Sequence, residues 1–224
     1  MSAQNAKSCA LHRKIGPWLA FSPARFPGDT VDRFDANYYR RYYQDRRTRV
    51  ADPEYYRRLA RFIASYSALL DISIVRIADL GCGTGALQNP LLAEFKRASY
   101  VGVEQSAYAC QKFGWKQSCA SEFTAELGFD LVVCHDVMQY LDDKRAAKAL
   151  TNFRLLTDKL VYFSVLTEED WRRNVDQDLT DGEVYLRPAN WYRRRLKPSF
   201  TNLGGGLYLA AGNDAVVYAL EGGF

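Results

Sequence analysis

The stretch IADLGCGTGALQNPLL, residues 77–92, decides the fold. It completes SIVRIADL (73–80), a short β-branched run that halts at a glycine cluster, and it then takes up helical spacing. Gly81, Gly83 and Gly85 occupy the junction. Backbone approaches a ligand closely only where no Cβ intervenes, and glycine also reaches the positive φ of a tight turn. A helix that follows such a turn presents unpaired N–H groups to an anionic or polar ligand group.

Downstream of this stretch, strand and helix alternate. YVGVE (100–104) reads as a second strand, a short third lies near residues 114–118, and FDLVVC (129–134) is the fourth. Residues 142–158 carry Leu150, Phe153 and Leu156 on one helical face and lead into LVYFSVLT (160–167), the fifth strand. This alternation predicts a parallel sheet covered on both faces. Residues 168–196 are polar and arginine-rich, with Trp171 and Trp191, and read as a helical insertion reaching to about residue 200. LYLA (207–210), a turn at AGND and AVVYALE (215–221) then predict an antiparallel hairpin that closes the sheet.

Upstream, Asp52 as N-cap and Pro53 at the first helical position open a helix with Leu59, Phe62, Ile63, Tyr66 and Leu70 on one face. DANYYRRYYQD (35–45) is a shorter helical pattern, while Gly16, Pro17, Pro23, Pro27 and Gly28 make residues 1–34 an irregular arm. The expected division is therefore residues 1–70 as an arm and helices covering the site, and residues 71–224 as the binding core.

Composition narrows the function classes. The 224 residues are 48% hydrophobic, enough for a sizeable core, and 30 Lys+Arg against 26 Asp+Glu leave a charge of only +4, too little for a uniform field that recruits nucleic acid. Five cysteines with no CxxC pair suggest neither a metal site nor a disulfide framework. With no apolar run of about 18 residues and no signal-like start, the expectation is a cytoplasmic protein without membrane contact.

Two acids sharpen the ligand class. Asp79 ends the first strand two residues before Gly81, and Glu104 ends the second, 19 residues past Gly85, where an acid in doubly wound folds accepts hydrogen bonds from ribose hydroxyls. Gly81, Gly83 and Ala86 also satisfy a dinucleotide-type G-x-G-x-x-[GA] spacing, so the loop alone leaves a nicotinamide oxidoreductase open. Asp79, the loop, Glu104 and FDLVVCHDVMQYL (129–141) together resemble the class I S-adenosylmethionine-dependent methyltransferases over about residues 75–165. That resemblance implies an α/β fold: a doubly wound, mostly parallel, Rossmann-like sheet with an antiparallel C-terminal hairpin and an N-terminal helical arm. It implies S-adenosylmethionine as cofactor and no metal.

The resemblance also implies roles. The loop from Gly81 through Cys82 and Gly83 to Gly85 would wrap the methionine and ribose parts, with Asp79 beneath it toward the amino group. Glu104 would hold the ribose hydroxyls, and Gln105, Cys119 and Ala120 would border the adenine. The acid the family often carries at that last place is missing here, leaving backbone, Ser121 or Glu122. Cys134 and His135 would face the methionine part, and Arg49 is a candidate for the cofactor carboxylate.

Methyl transfer is an in-line displacement in which positioning supplies much of the rate. A hydroxyl or protonated amine acceptor gains from a general base, for which His135, Asp136 and Tyr140 are candidates; a free amine or carboxylate needs none. The aromatic and basic segments YYRRYYQDRRTR (38–49) and NWYRRRLK (190–197) suggest a small-molecule acceptor, anionic or aromatic, held between them. An RNA methyltransferase and a non-catalytic S-adenosylmethionine-binding protein are the alternatives. The RNA reading lacks an NPPY-like tetrad after the fourth strand, where CHDVM stands.

Overall fold

A computed structural model of the chain describes residues 33–219, so almost all of the expected N-terminal arm lies outside the described residues. β1 (Arg76–Leu80) lies between β2 (Ser99–Glu104) and β4 (Phe129–His135), parallel to both. β3 (Lys116–Gln117) extends the sheet beyond β2, and β5 (Thr157–Ser164) runs parallel to β4. With β6 (Phe200–Gly204) and β7 (Leu207–Ala210), the order is β3-β2-β1-β4-β5-β7-β6, seven strands in one sheet.

Side chains alternate across β1, so Ile77 faces one layer while Ala78 and Leu80 face the other. The first layer is built by α2 (Pro53–Leu69) and α3 (Gln88–Glu94), whose Leu59, Ile63 and Leu91 pack with Leu131 and Val133. The second is built by α5 (Asp143–Leu156) and α7 (Ala189–Leu196), with Leu150, Phe153, Tyr192 and Leu196 against Val132, Cys134 and Phe163. Each such fully buried aliphatic side chain contributes about 1.5–3 kcal/mol relative to exposure, which explains why the central strands read as near-continuous apolar runs. No helix among the described residues is long and apolar enough to cross a membrane.

The cap read from the sequence holds. Asp52 accepts from the Tyr55 N–H at 2.8 Å with Pro53 in the first turn, and Asp35 likewise opens α1 (Ala36–Tyr39), which passes into a π-helical turn over Arg40–Gln44. α4 (Ala107–Phe113) starts at Ser106 and ends at Gly114 in the left-handed region.

The closing hairpin forms, but from different residues than expected. LYLA is its second strand, and its partner is the preceding FTNLG, joined through Gly204, Gly205 and Gly206, all at positive φ. The three glycines reverse the chain where the sequence reading placed the tail of an insertion. Phe200 and Leu203 are buried, whereas Val216 and Tyr218 of the expected strand are about 70% exposed, so burial selects the upstream segment. The insertion is helical only in α6 (Glu168–Arg173) and α7, with irregular chain between them.

Candidate functional site

The order of the sheet reverses beside β1, and in open α/β sheets the crevice for ligands opens there, at the carboxyl ends of the strands. β1 delivers Asp79 and the glycine turn to that edge. Gly81 has φ +75, and a Cβ on it would lie 2.4 Å from Val137. Gly85 has φ +74, and its Cβ would lie 2.5 Å from the Trp115 ring. The same indole abuts Gly102 of β2, at 2.4 Å from a Cβ there, and donates its N–H to the Gly83 carbonyl at 2.9 Å. Trp115 is thus a floor under the turn, and two glycines exist to make room for it.

Asp79 is only 3% exposed and accepts from the Tyr100 hydroxyl at 2.6 Å; among the described residues it forms no ion pair. Burial pushes its carboxyl up to about 6, against the opposing Tyr100 bond. Glu104 is tied to the turn: Oε2 accepts from the Gly83 N–H at 2.9 Å, and Oε1 accepts from those of Gln105 and Ser106 at 2.8 and 2.9 Å. Burial raises its carboxyl, and the three amides pull the other way.

Two cavities meet above this edge. The larger, about 570 Å³, is floored by Asp79, Gly81, Cys82, His135 and Asp136 and walled by Tyr55 and Tyr56 of α2 and by chain from 165–181. The smaller, about 50 Å³, is lined by Gly83, Glu104, Gln105, Ser118, Cys119 and Ala120. Tyr38, Tyr43, Gly81, Asp136 and Tyr140 border both. The wall is closed by the Tyr38 hydroxyl, which donates to that of Tyr140 at 2.9 Å, and by Tyr39, whose ring lies 3.5 Å from where a Gly83 Cβ would be. Burial raises the Tyr38, Tyr39, Tyr43 and Tyr140 hydroxyls far above their ordinary range, so they stay neutral.

His135 lies at the base of the larger cavity. Its Nδ1 is 3.3 Å from Asp136 Oδ2, and its Nε2 is 3.1 Å from the Tyr55 hydroxyl. Asp136 sits at φ 55, unusual for a residue with a side chain, and its Oδ1 accepts from Ser164 at 3.1 Å. The Tyr162 ring stacks 6.0 Å from the imidazole.

Residues 78–158 match the family described as a methyltransferase domain. Over that region the chain is similar to methyltransferase domains. Two ubiquinone biosynthesis O-methyltransferases, of Rickettsia conorii and Rickettsia canadensis, are each 30% identical over 82 residues, 33% of this chain. The matched stretch spans 28% and 35% of those relatives, about a third of their length. An S-adenosylmethionine-dependent methyltransferase from Clostridium acetobutylicum superposes with TM-score 0.54 at 18% identity, over 80% of this chain and 98% of that one. Magnesium protoporphyrin IX methyltransferase from Synechocystis PCC 6803, with bound S-adenosylmethionine, gives TM-score 0.54 at 16% identity over 81% and 95%. At these identities the structures establish a shared fold.

Within the matched region, Asp79, Gly81, Cys82 and His135 gather at the larger cavity, and Gly83, Glu104, Gln105, Cys119 and Ala120 at the smaller. Cys134 does not join them. Strand alternation turns its side chain to the α5 layer, where it is fully buried, while His135 points to the α2 side. Gly85 borders neither cavity because Trp115 fills the space beside it, and Arg49 sits on the loop between α1 and α2 outside both linings. NWYRRRLK also lies away from the cavities: Tyr192 and Leu196 anchor α7 to the core and its arginines face outward. Of the charged groups that do line the larger cavity, five are carboxylates (Asp52, Asp79, Asp136, Asp170, Asp181) and Arg58 is a cation.

Sequence reasoning passed over Tyr55, Tyr56, Trp115 and Arg187. The last is 3% exposed and donates to the Met138 and Leu141 carbonyls, to Tyr192 and to Asp143, clamping the turn after β4 that carries Asp136 and Tyr140. The adjacent tyrosines of EYY (54–56), next to the Asp52 cap, are the signal in α2, and they lie outside the Leu59, Phe62, Ile63, Tyr66 and Leu70 face read from the spacing.

Proposed function

We propose that the chain is an S-adenosylmethionine-dependent methyltransferase acting on a small-molecule acceptor. The observation that carries the reading is Asp79, a buried carboxylate without a cationic partner among the described residues, open to a cavity beside a glycine turn that Glu104 closes. A ligand amino group beside Asp79 relieves the cost of burying that charge, and Glu104 keeps acceptor capacity for ribose hydroxyls after its three amide bonds. Gly81 and Gly83 both take positive φ, and both border a cavity where a ligand meets their backbone. When bound, S-adenosylmethionine supplies a methyl group already activated by its sulfonium. Gln105, Cys119 and Ala120 then border the adenine, and His135, Asp136 and Tyr140 stand between donor and acceptor sides.

A cavity of about 570 Å³ roofed by helices favours a small molecule over a polymer, as do the matched ubiquinone O-methyltransferases. Its tyrosines favour an aromatic acceptor, and its carboxylates disfavour an anionic one. On this reading residues 33 to about 70 cover the site and residues from 71 form the binding core. The free thiols of Cys82, Cys110, Cys119 and Cys134 agree with a reducing, cytoplasmic setting.

Calorimetric titration with S-adenosylhomocysteine beside NADH, for wild type and Glu104→Ala, tests the reading. Heat with the homocysteine compound that weakens in the variant supports it. Binding of NADH alone refutes it.

A further inference from the structure

The groups around His135 specify more than a cofactor site. Its Nδ1 faces the Asp136 carboxylate at 3.3 Å, within ion-pair distance of a group that is a pure acceptor when ionised, which favours the ring proton on Nδ1. With the proton there, Nε2 carries the lone pair and the hydroxyl of Tyr55, 3.1 Å away, is its hydrogen-bond partner. Asp136 is itself held: Oδ1 accepts from Ser164, its own N–H donates to the Ser164 carbonyl at 3.0 Å, and its backbone is kept at φ 55. A left-handed backbone at a side-chain-bearing residue costs about 1–2 kcal/mol and persists where the surroundings fix it, commonly at functional sites. Tyr162 stacks with the imidazole at 6.0 Å, Tyr56 lies 6.1 Å from it, and the side chain is only 13% exposed. The imidazole is therefore held between a carboxylate on its Nδ1 side and a hydroxyl on its Nε2 side.

We propose, resting on the methyltransferase reading above, that the acceptor atom is a hydroxyl oxygen of a phenol-type ring and that His135 is its general base, with Asp136 and Ser164 as positioning residues. The Tyr55 phenol marks the place: Nε2 has one lone pair, so an acceptor hydroxyl binds it in place of Tyr55. Nε2 takes the hydroxyl proton while the acceptor oxygen forms a bond to the methyl carbon. The carbon–sulfur bond breaks with its electron pair going to sulfur, leaving a methyl ether, S-adenosylhomocysteine and an imidazolium that returns its proton to solvent. The negative charge of Asp136 stabilises that imidazolium. An amine acceptor would not use this arrangement, because a free amine attacks without losing a proton first.

The test uses wild type, His135→Gln and Asp136→Asn, each first titrated with S-adenosylhomocysteine. They are then assayed on ring-substituted phenols whose hydroxyl pKa runs from about 7 to about 10, with the matching anilines beside them. Wild type is expected to form methyl ethers. His135→Gln is expected to keep S-adenosylhomocysteine binding yet lose about 10²–10⁴-fold in kcat/KM on the weakly acidic phenols, and far less on those already ionised in the assay. Without turnover, nitrogen NMR of the imidazole should place the proton on Nδ1 in wild type and on a mixture of both nitrogens in Asp136→Asn. The groups facing this ring, Tyr55, Tyr56, Asp79, Asp136 and Tyr162, are common to wild type and His135→Gln, so the contrast isolates the imidazole. Undiminished methylation by His135→Gln, an equal loss along the acidity series, a wild-type proton on Nε2, or methylation of anilines and of no phenol overturns the proposal. Failure of wild type to bind S-adenosylhomocysteine overturns the cofactor reading instead.

Discussion

Asp79→Asn should stabilise the protein without ligand while weakening its hold on the cofactor. The Asp79 carboxyl is raised to about 6 by burial, against roughly 3.9 in an unfolded chain. Between those values the folded state binds more protons than the unfolded one, so stability falls as pH rises and the penalty is complete above about pH 6. A difference of about 2 units at roughly 1.36 kcal/mol each puts the full penalty near 3 kcal/mol, and it is already about half developed at pH 5. The asparagine variant keeps an oxygen for the Tyr100 hydroxyl, bonded at 2.6 Å in wild type, and carries no charge to bury. Variant minus wild-type stability should therefore rise by about 1.4 kcal/mol between pH 5 and pH 8, a gap in Tm that widens by roughly 3–6 °C. Calorimetric melts of both proteins across that range measure it. S-adenosylhomocysteine, which carries the amino group, should bind wild type more tightly as Asp79 ionises and bind the variant weakly at every pH. A Tm difference that stays flat or narrows with pH would refute the buried-charge argument, and equal ligand affinity in the two proteins would remove Asp79 from the amino-group site.

Glu104→Gln leaves one oxygen where two accept three amide N–H groups, and its NH2 opposes one of those donors. Affinity for S-adenosylhomocysteine should fall by about 10- to 100-fold, corresponding to roughly 1.4–2.8 kcal/mol, in the same titration. Gly102→Ala sets a methyl 2.4 Å from Trp115 at a position with ordinary φ, so the loss of about 1–3 kcal/mol is purely steric, and adding Trp115→Phe should recover part of it in a double-mutant cycle of thermal melts. Arg187→Met strips donors from the buried Met138 and Leu141 carbonyls and should cost about 3 kcal/mol, a Tm drop of roughly 6–12 °C, with S-adenosylhomocysteine affinity reduced because the turn bearing Asp136 loosens.

What the sequence by itself determined is what neighbouring residues impose on each other. Asp52 and Pro53 start α2, the apolar runs become β1, β4 and β5, and the glycine turn leads from β1 into α3 with Asp79 ahead of it. Glu104 reached the loop because parallel pairing sets the end of β2 beside the end of β1, a register that follows from both strands being buried. The tertiary structure decided what depends on contacts between distant residues. LYLA could pair upstream or downstream by pattern, and only the burial of Phe200 and Leu203 selected the glycine-turn hairpin. Cys134 and His135 are adjacent in the chain, yet strand alternation sends one into the α5 layer and gives the other to Tyr55, 80 residues away. Arginine-rich segments gave no sign of which would face the cavity, because long cationic side chains are solvated wherever a helix turns them outward, and α7 is oriented by Tyr192 and Leu196. Trp115 explains Gly85 and Gly102 by filling space, and space is shared by elements that no local spacing brings together.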